Sequence, residues 1–334
     1  MSISLGLGLT SACNLECPHC YRPDPPLAYL PRTTINEVCD ALPIDGVNLG
    51  TGENALHPQF RAIIDDLLER GLRVSLTSNG YSIGQLPDAV LQSLHDIEVS
   101  IDFPSRARFD AFRGDGAWET ATRALDRCRR LGVKTTVLAV LMRDNHRDMP
   151  ALAEVAAQHG APLRVNVYQP VKSFDFAPSY EEFWTAVRDV LEHTTVLGCS
   201  ERVISAAVGA TSGELKCGSS SIRVTPSGEV LPCVYSPESI AGGTRQLVEV
   251  GVAVFETPAF QKYSGVPDEC ADCEQVRACG GGCSSRRVLA FGTINARDPY
   301  CPKRGGIDLS QVLRSGAPGG RLHTGNVCTL LVSA

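Results

Sequence analysis

Apolar residues recur up to residue 192 in two alternating patterns, one typical of strands and one typical of helices. Short apolar runs predict strands, and longer segments with apolar residues at i, i+3, i+4 and i+7 predict amphipathic helices. The predicted strands are residues 3–9, 46–50, 73–77, 97–102, 134–142 and 163–171, and the predicted helices are residues 35–42, 58–70, 86–95, 117–131, 147–159 and 178–192. Strands that alternate with helices in this way indicate an α/β fold with parallel strands and helical crossovers.

Two of these strands have a polar face. A parallel strand that is buried on both faces is usually apolar on both, so a polar face indicates a solvated or ligand-filled lumen. The alternative is that these polar groups only satisfy each other. Periodicity alone fits a doubly wound sheet and an incomplete TIM-like barrel equally well. The polar positions are Glu98, Ser100 and Asp102 on the fourth strand, and Arg164, Asn166 and Tyr168 on the sixth.

The pattern changes beyond the last predicted helix. Residues 201–216 read as a linker, and residues 217–304 are rich in cysteine and glycine with little helical periodicity. Residues 305–334 are glycine-rich and weakly patterned, so we expect a loosely structured tail. The chain is therefore predicted to contain an α/β domain over residues 1–200 and a small cysteine-rich domain over residues 217–304.

Composition narrows the class of protein. Of the 334 residues 43% are hydrophobic and 20% are charged, which is typical of a globular chain. The net charge of −6 gives no electrostatic footprint for nucleic acid. Apolar runs are too short for a membrane helix, and the start of the chain lacks the features of a signal peptide. We therefore expect a cytoplasmic protein that binds neither membrane nor nucleic acid.

Fourteen cysteines are a large number for this length. In a reducing cytosol such cysteines point to metal binding or catalysis rather than to disulfides. Cys39 and Cys128 continue the apolar rows of two predicted helices, and free cysteine packs as a small hydrophobe. We assign these two to the core.

Three cysteines near the start have an unusual spacing. Cys13, Cys17 and Cys20 form C-x3-C-x2-C, and Tyr21 follows directly. Three thiolates hold three irons of a cubane cluster and leave the fourth iron open for chemistry. A zinc site or a ferredoxin-type cluster normally takes four protein ligands. His19 is the nearest further ligand for zinc, but it lies between two of the cysteines in poor geometry.

This loop, placed after a first strand, resembles the cluster loop of the radical S-adenosylmethionine (radical SAM) superfamily. The resemblance implies a partial (β/α)6 TIM-like barrel and a 4Fe–4S cluster whose open iron chelates SAM. One electron from the cluster would cleave SAM and yield a 5′-deoxyadenosyl radical that abstracts a substrate hydrogen atom. An external one-electron reductant of the flavodoxin or ferredoxin type is then expected as a partner.

Further matches to the family fall at the ends of predicted strands. Gly50-Thr51-Gly52-Glu53-Asn54 resembles its Gly-Gly-Glu-Pro motif, although Asn54 replaces the proline. Ser78-Asn79-Gly80 and Ser100-Ile101-Asp102 resemble two further motifs. Arg113 suits a carboxylate through its planar guanidinium, and its alternative role is a surface ion pair. The resemblance implies SAM contacts for Tyr21, Gly50, Gly52, Glu53, Ser78, Asn79, Ser100 and Arg113.

Seven cysteines in the second part of the chain form the pattern C-x10-G-x4-C, gap, C-x2-C-x5-C-x3-C, gap, C. This pattern resembles the SPASM extension of radical SAM enzymes, which binds two auxiliary 4Fe–4S clusters. Zinc ribbons explain pairs of cysteines but not this order. The resemblance implies that a first auxiliary cluster is held by Cys217, Cys233 and Cys283, and a complete second one by Cys270, Cys273, Cys279 and Cys301.

Auxiliary clusters favour oxidation of the substrate radical, which needs an electron acceptor and a base. Glu98, Asp102 and Tyr168 are the candidate bases on the polar strand faces. The alternative is an epimerase, in which a thiol returns a hydrogen atom from the other face. Cys199 and Cys328 are the candidate thiols, and Cys199 is also a candidate fourth ligand of the first auxiliary cluster.

The substrate class stays open between a ribosomally made peptide and a small sugar or aminocyclitol. Both fit an enzyme of natural-product biosynthesis. Two other classes compete: a multi-cluster electron carrier without catalysis, and a zinc-binding interaction module. The electron carrier would not need the motifs at residues 50–54, 78–80, 100 and 113, so their presence argues against it.

Overall fold

A computed structural model describes residues 3–22, 26–209, 218–312 and 328–334. The strands are β1 (Ile3–Leu7), β2 (Ile44–Leu49), β3 (Arg73–Ser78), β4 (Asp96–Ser100), β5 (Thr135–Leu141), β6 (Leu163–Val167), β7 (Thr195–Cys199), β8 (Ser221–Val224), β9 (Val230–Leu231) and β10 (Thr329–Ser333). The helices are α1 (Arg32–Ala41), α2 (Phe60–Glu69), α3 (Tyr81–Gln85), α4 (Asp88–Ser93), α5 (Arg106–Arg113), α6 (Ala117–Leu131), α7 (Met149–Gln158), α8 (Tyr180–His193), α9 (Arg202–Ala207), α10 (Gly243–Val250), α11 (Pro258–Ser264), α12 (Val276–Cys279) and α13 (Ser284–Phe291).

These elements divide into two compact units. The first unit takes its described residues from Met1–Ile101, Ser105–Thr136 and Gly218–Gln261. The second takes them from Asp102–Pro104, Val137–Cys217 and Lys262–Ala334. This division does not follow the predicted boundaries, because the region over residues 217–304 contributes to both units.

In the first unit the strands are ordered β4-β3-β2-β1-β8-β9. β1 to β4 are parallel neighbours, β8 adds in parallel to β1, and β9 is antiparallel to β8. Residues that pair across β1 to β4 form rows. One such row consists of fully buried apolar side chains, and the adjacent row consists of small or polar residues. The apolar row is Leu7, Leu49, Leu76 and Ile97; the small and polar row includes Gly6, Asn48 and Ser75, with Thr77 opposite Glu98.

The apolar row explains why these segments form strands rather than helices. Alternate residues of a strand point to opposite faces, so one apolar set packs against the helices and the other set faces the lumen. Ile63, Ile64 and Leu67 of α2 are fully buried and supply part of that packing. The expected α/β order is confirmed here, and so is the polar character of one strand face.

In the second unit the strands are ordered β7-β10-β6-β5. β5 and β6 are parallel, whereas β10 is antiparallel to both β6 and β7. The prediction of a loose tail over residues 305–334 is therefore wrong for Thr329–Ser333, where Leu330, Leu331 and Val332 are buried. Three adjacent apolar residues fit a strand that is covered on both faces, a signal too short to outweigh the glycines before it.

Two other predictions also differ from the structure. The described part of the predicted linker over residues 201–216 contains α9, whose six residues are all buried. The first helix also begins earlier than predicted, because α1 starts at Arg32 behind Pro31, three residues before the predicted start at residue 35.

Candidate active site

The cluster loop follows β1 and is fastened to the end of β2. The backbone N–H of Glu53 donates to the carbonyl of Ala12 at 2.8 Å, and the hydroxyl of Tyr21 donates to the carbonyl of Gly50 at 2.8 Å. Cys13, Cys17 and Cys20 between these two ties are half-buried and free of disulfides. The structure thus brings the cysteine loop and the predicted glycine-rich loop together.

Glu53 is the centre of this part of the site. Its carboxylate accepts hydrogen bonds from the Ser78 hydroxyl at 2.6 Å and from the backbone N–H groups of Asn79 and Ser82, both at 2.9 Å. The Ser82 hydroxyl donates to the same carboxylate. The side chain is 1% exposed, so these donors compensate the burial of its charge. Sequence reasoning missed Ser82, which lies in α3 outside any motif.

Asn79 connects the hydrogen bonds of Glu53 to the cysteine loop. Its side-chain amide donates to the Asn14 side-chain oxygen at 2.9 Å and lies 3.9 Å from the Cys13 sulfur. The backbone N–H of Asn79 donates a hydrogen bond to the Glu53 carboxylate, as described above. Burial raises the pKa of the Cys13 thiol, so a metal has to displace its proton in order to bind.

The backbone conformation at residue 52 requires glycine. Its φ is +67°, and a Cβ there would collide with the carbonyl oxygens of Thr10 and Ala12. Only glycine adopts this conformation without strain. The glycine-rich motif thus has a local reason here, namely the close approach of the loop to the chain that leads into the cysteines.

The remaining predicted SAM residues lie in the same unit. Ser100 is the last residue of β4 and is half-buried. Arg113 is the last residue of α5, and its guanidinium lies 5.5 Å from the ring centroid of Phe109. Burial raises the pKa of Tyr21, whose ring meets that of Tyr235 edge-on at 5.2 Å. SAM contacts by these residues, and by Gly50, Ser78 and Asn79, stay predictions.

The candidate bases occupy different settings. In the first unit Glu98 is 4% exposed, and its carboxylate accepts a hydrogen bond from Thr77 at 2.8 Å. In the second unit the Asp102 carboxylate accepts the backbone N–H of Val140 at 2.9 Å and is fully buried. The Tyr168 hydroxyl donates to the carbonyl of Ser173 at 2.8 Å, and burial raises its pKa.

Cys199 lies at the end of β7, opposite Leu330 of β10. Burial raises the pKa of Cys199 to about 11, so it is a thiol at neutral pH. Cys328 leads into β10 with φ of +89°, and its backbone N–H donates to the carbonyl of Ser200 at 3.1 Å. The two thiols that the sequence left unassigned therefore lie on adjoining segments of the second unit.

The later cysteines surround a cavity in the second unit. Cys270, Cys273, Cys279 and Cys301 line this cavity together with Asp298 and Gly281. These are the four cysteines that the resemblance to the SPASM extension assigns to one cluster. Burial raises the pKa of Cys279 to about 12 and also raises that of Cys270.

The donor set of this cavity fits an iron–sulfur cluster. A 4Fe–4S cluster takes four cysteine thiolates, and four cysteines line the cavity. In the described residues, no three His, Cys, Asp or Glu side chains are grouped closely enough to hold one metal ion.

The other predicted auxiliary ligands stay untested. Cys217 lies outside the described residues. Cys233 belongs to the first unit, close enough to Tyr21 to influence its hydroxyl, and Cys283 belongs to the second. Cys283 is 3% exposed and directly precedes α13.

Comparison with known protein families decides the class of the site in the first unit. The model of the radical SAM superfamily matches residues 7–156, which include the cysteine loop and the loops that Glu53 joins. Residues 7–156 thus form a radical SAM domain. Such a domain implies one 4Fe–4S cluster and SAM. Cys13, Cys17 and Cys20 are the residues that would hold the cluster.

Relatives of this radical SAM protein match along most of its length. It is 26% identical to the mycofactocin maturase MftC of Mycobacterium ulcerans (strain Agy99) over 324 residues, 90% of this chain and 87% of the relative. It is also 26% identical to the PqqA peptide cyclase of Methylobacterium sp. (strain 4-46), covering 90% of this chain and 86% of the relative.

Solved structures share the fold. The structure of anSMEcpe with bound AdoMet aligns with a TM-score of 0.70 at 16% identity, covering 90% of this chain and 95% of that one. Streptococcus suis SuiB aligns with a TM-score of 0.69 at 13% identity, covering 90% and 77%. The protein thus has the TIM-like α/β fold of these radical SAM neighbours. Among its described helices, none combines the length and apolar character needed to cross a membrane.

Proposed function

We propose that this radical SAM protein oxidises a ribosomally made peptide with the help of two auxiliary clusters. The observation that carries the proposal is the cavity lined by four free cysteines in the second unit, because the SAM-cleaving site in the first unit does not need it. Four thiols leave no ligand position of a cubane open. Such a site is suited to electron transfer rather than to binding SAM.

The peptide as substrate is supported by what the relatives are named for. One group is named PqqA peptide cyclase, and solved structures of neighbours contain peptides: anSMEcpe with the Cp18Cys peptide, and SuiB with precursor peptide SuiA. The relatives reported above are not named for a sugar or an aminocyclitol. We therefore favour a peptide, modified by dehydrogenation or by a cross-link.

When bound, the clusters supply the electron that cleaves SAM and accept the electron that the substrate radical gives up. The residues of the chain position the cysteine loop and exclude water from the site. Glu53 and Asn79 hold the cysteine loop against the ends of β2 and β3. Glu98 is the carboxylate on the lumen face that we propose as the proton acceptor. Its bond to Thr77 orients it, and its burial excludes water.

The number of hydrogens and electrons transferred determines what has to be measured. Hydrogen-atom abstraction, followed by loss of one electron and one proton, removes two hydrogens from the peptide. SAM takes one hydrogen as 5′-deoxyadenosine. Since the substrate returns one electron for each one spent, a catalytic amount of reductant suffices. We expect that reductant to be a flavodoxin or ferredoxin in the cytoplasm.

Anaerobic reconstitution tests the proposal. We expect about 12 irons per chain, from three cubanes of four irons each, and 5′-deoxyadenosine on reduction. The substrate assay uses a synthetic precursor peptide encoded beside the gene, with a scrambled peptide as control. A product lighter by two hydrogens supports oxidation. Unchanged mass in water with one deuterium gained in heavy water would instead establish the epimerase alternative, in which Cys199 or Cys328 is the donor.

A further inference from the structure

A buried group of three charges lies beside the cysteine cavity of the second unit. Arg286, in the first turn of α13, contacts Glu201 at 2.9 Å and Asp298 at 2.7 Å. The three side chains are at most 2% exposed. Burial alone would lower the pKa of Arg286, but the two carboxylates outweigh it and raise that pKa well above its usual value.

Asp298 contacts residues of both predicted auxiliary ligand sets. Its carboxylate accepts the backbone N–H of Cys283 at 2.8 Å, and its carbonyl accepts the backbone N–H of Cys301 at 2.9 Å. The same residue lines the cavity around Cys270, Cys273, Cys279 and Cys301. One side chain thus touches a ligand of the first set and borders the site of the second.

The backbone around Asp298 is shaped to admit it. Gly282 has φ of +77°, and a Cβ there would collide with the Asp298 carboxylate. Tyr300 closes the other side: its backbone N–H donates to the carboxylate at 2.8 Å, and the Arg286 guanidinium lies 5.1 Å from its ring centroid. The carboxylate is therefore fixed from several directions.

Stability alone is a weak reason for such a group. Moving charges out of water costs several kcal/mol per ion, and apolar replacements of buried ion pairs are often as stable. Asp298 is such a buried negative charge, and it borders the cysteine cavity. A fixed negative charge in a poorly solvated interior disfavours a further electron nearby. Charges and hydrogen bonds around iron–sulfur clusters tune their potentials in this way.

We propose that Asp298, held by Arg286 and Glu201, is a positioning residue of the second auxiliary cluster that fixes Cys301 and the neighbouring Cys283 and lowers the reduction potential of that cluster. This inference rests on the proposed function, because it requires auxiliary clusters at these cysteines. It adds a reason why the chain keeps a buried carboxylate beside them.

The test compares charge-removing variants of the full chain after anaerobic reconstitution. In Asp298→Asn we expect the iron content of the unaltered protein, because the amide oxygen still accepts the Cys283 N–H. At a fixed potential the oxidised-to-reduced ratio of the second auxiliary cluster in electron paramagnetic resonance should fall roughly tenfold, about 59 mV for a one-electron couple. Glu201→Gln removes the same charge without touching Cys283 or Cys301, so it should shift the potential even if Asp298→Asn loads iron poorly.

Asp272→Asn is the matched control, since this exposed carboxylate lies next to Cys273 where water screens it. It should shift the ratio far less. Full iron content with an unmoved potential in Asp298→Asn and Glu201→Gln would overturn the inference and leave the proposed function intact. Only about four irons in the unaltered protein would overturn the proposed function itself.

Discussion

The two cysteine sites of this radical SAM protein are held in place by different kinds of interaction. In the first unit, neutral donors and one carboxylate tie three half-buried cysteines to the ends of two strands. In the second unit, a buried ion group borders four cysteines around a cavity. The first site presents three thiols in a loop, and the second encloses four.

This difference in structure corresponds to two different functions, cofactor binding and electron transfer. A site that binds a cofactor at a metal needs an open ligand position, and three thiols leave one. A site that only passes electrons gains from complete ligation and from fixed charges that set its potential. The contrast predicts that the two sites can be removed separately, with different losses.

Removal of the open site should have the largest effect. Replacing Cys13, Cys17 and Cys20 by Ala should remove about four of about 12 irons and abolish 5′-deoxyadenosine formation. The measurement is iron content together with chromatography of the SAM products. Replacement of Cys39 and Cys128, which are packed in helices and buried, is the control and should leave both intact. Residual SAM cleavage in the triple variant would contradict the assignment.

Removal of the enclosed site should leave SAM cleavage in place. We expect Cys279→Ala to lose up to about four irons and the two-hydrogen oxidation of the peptide, while it still forms 5′-deoxyadenosine. The physical reason is that Cys279 lines the cavity in the second unit, whereas SAM cleavage needs the loop in the first. Loss of both activities with normal secondary structure would mean that the two sites do not act separately.

The sequence predicts the cysteines of both sites better than the residues that surround them. Cysteine spacing is a local property, so the four residues around the cavity and the three of the loop could be chosen without a structure. Ser82, Glu201 and Asp298 could not, because each acts through contacts between segments distant in the chain. β10 was missed for a similar reason: it is a strand because β6 and β7 flank it.

The hydrogen bonds of Glu53 provide a smaller, more selective test of the open site. Glu53→Gln places an amide among donors that need acceptors, so we expect the free energy of unfolding to fall by about 2 kcal/mol. Ser82→Ala removes one partner and should cost about 1 kcal/mol. Urea unfolding measures both. If Glu53→Gln instead weakened SAM binding and left the stability unchanged, Glu53 would be a SAM ligand rather than a support for the turn after β3.

The half-buried ion pair of Arg32 and Asp66 should have the smallest effect, and it is a reference for the fully buried charges. Arg32 holds the pKa of Asp66 at about 2, below its ordinary 3.8, and the two side chains are 39% and 16% exposed. Because the folded-state pKa is the lower one, the contribution is complete above about pH 4 and is lost as the pH falls towards 2.

Solvent screening limits this pair to about 0.5–1 kcal/mol in Asp66→Asn. The difference from the unaltered protein in urea unfolding should therefore be constant from pH 8 to pH 5. A difference that changes across that range would place the titration of Asp66 elsewhere. A difference that greatly exceeded the effect of Ser82→Ala would mean that half-buried charges matter as much here as buried bonds, and would remove the basis for treating the ion group around Asp298 as special.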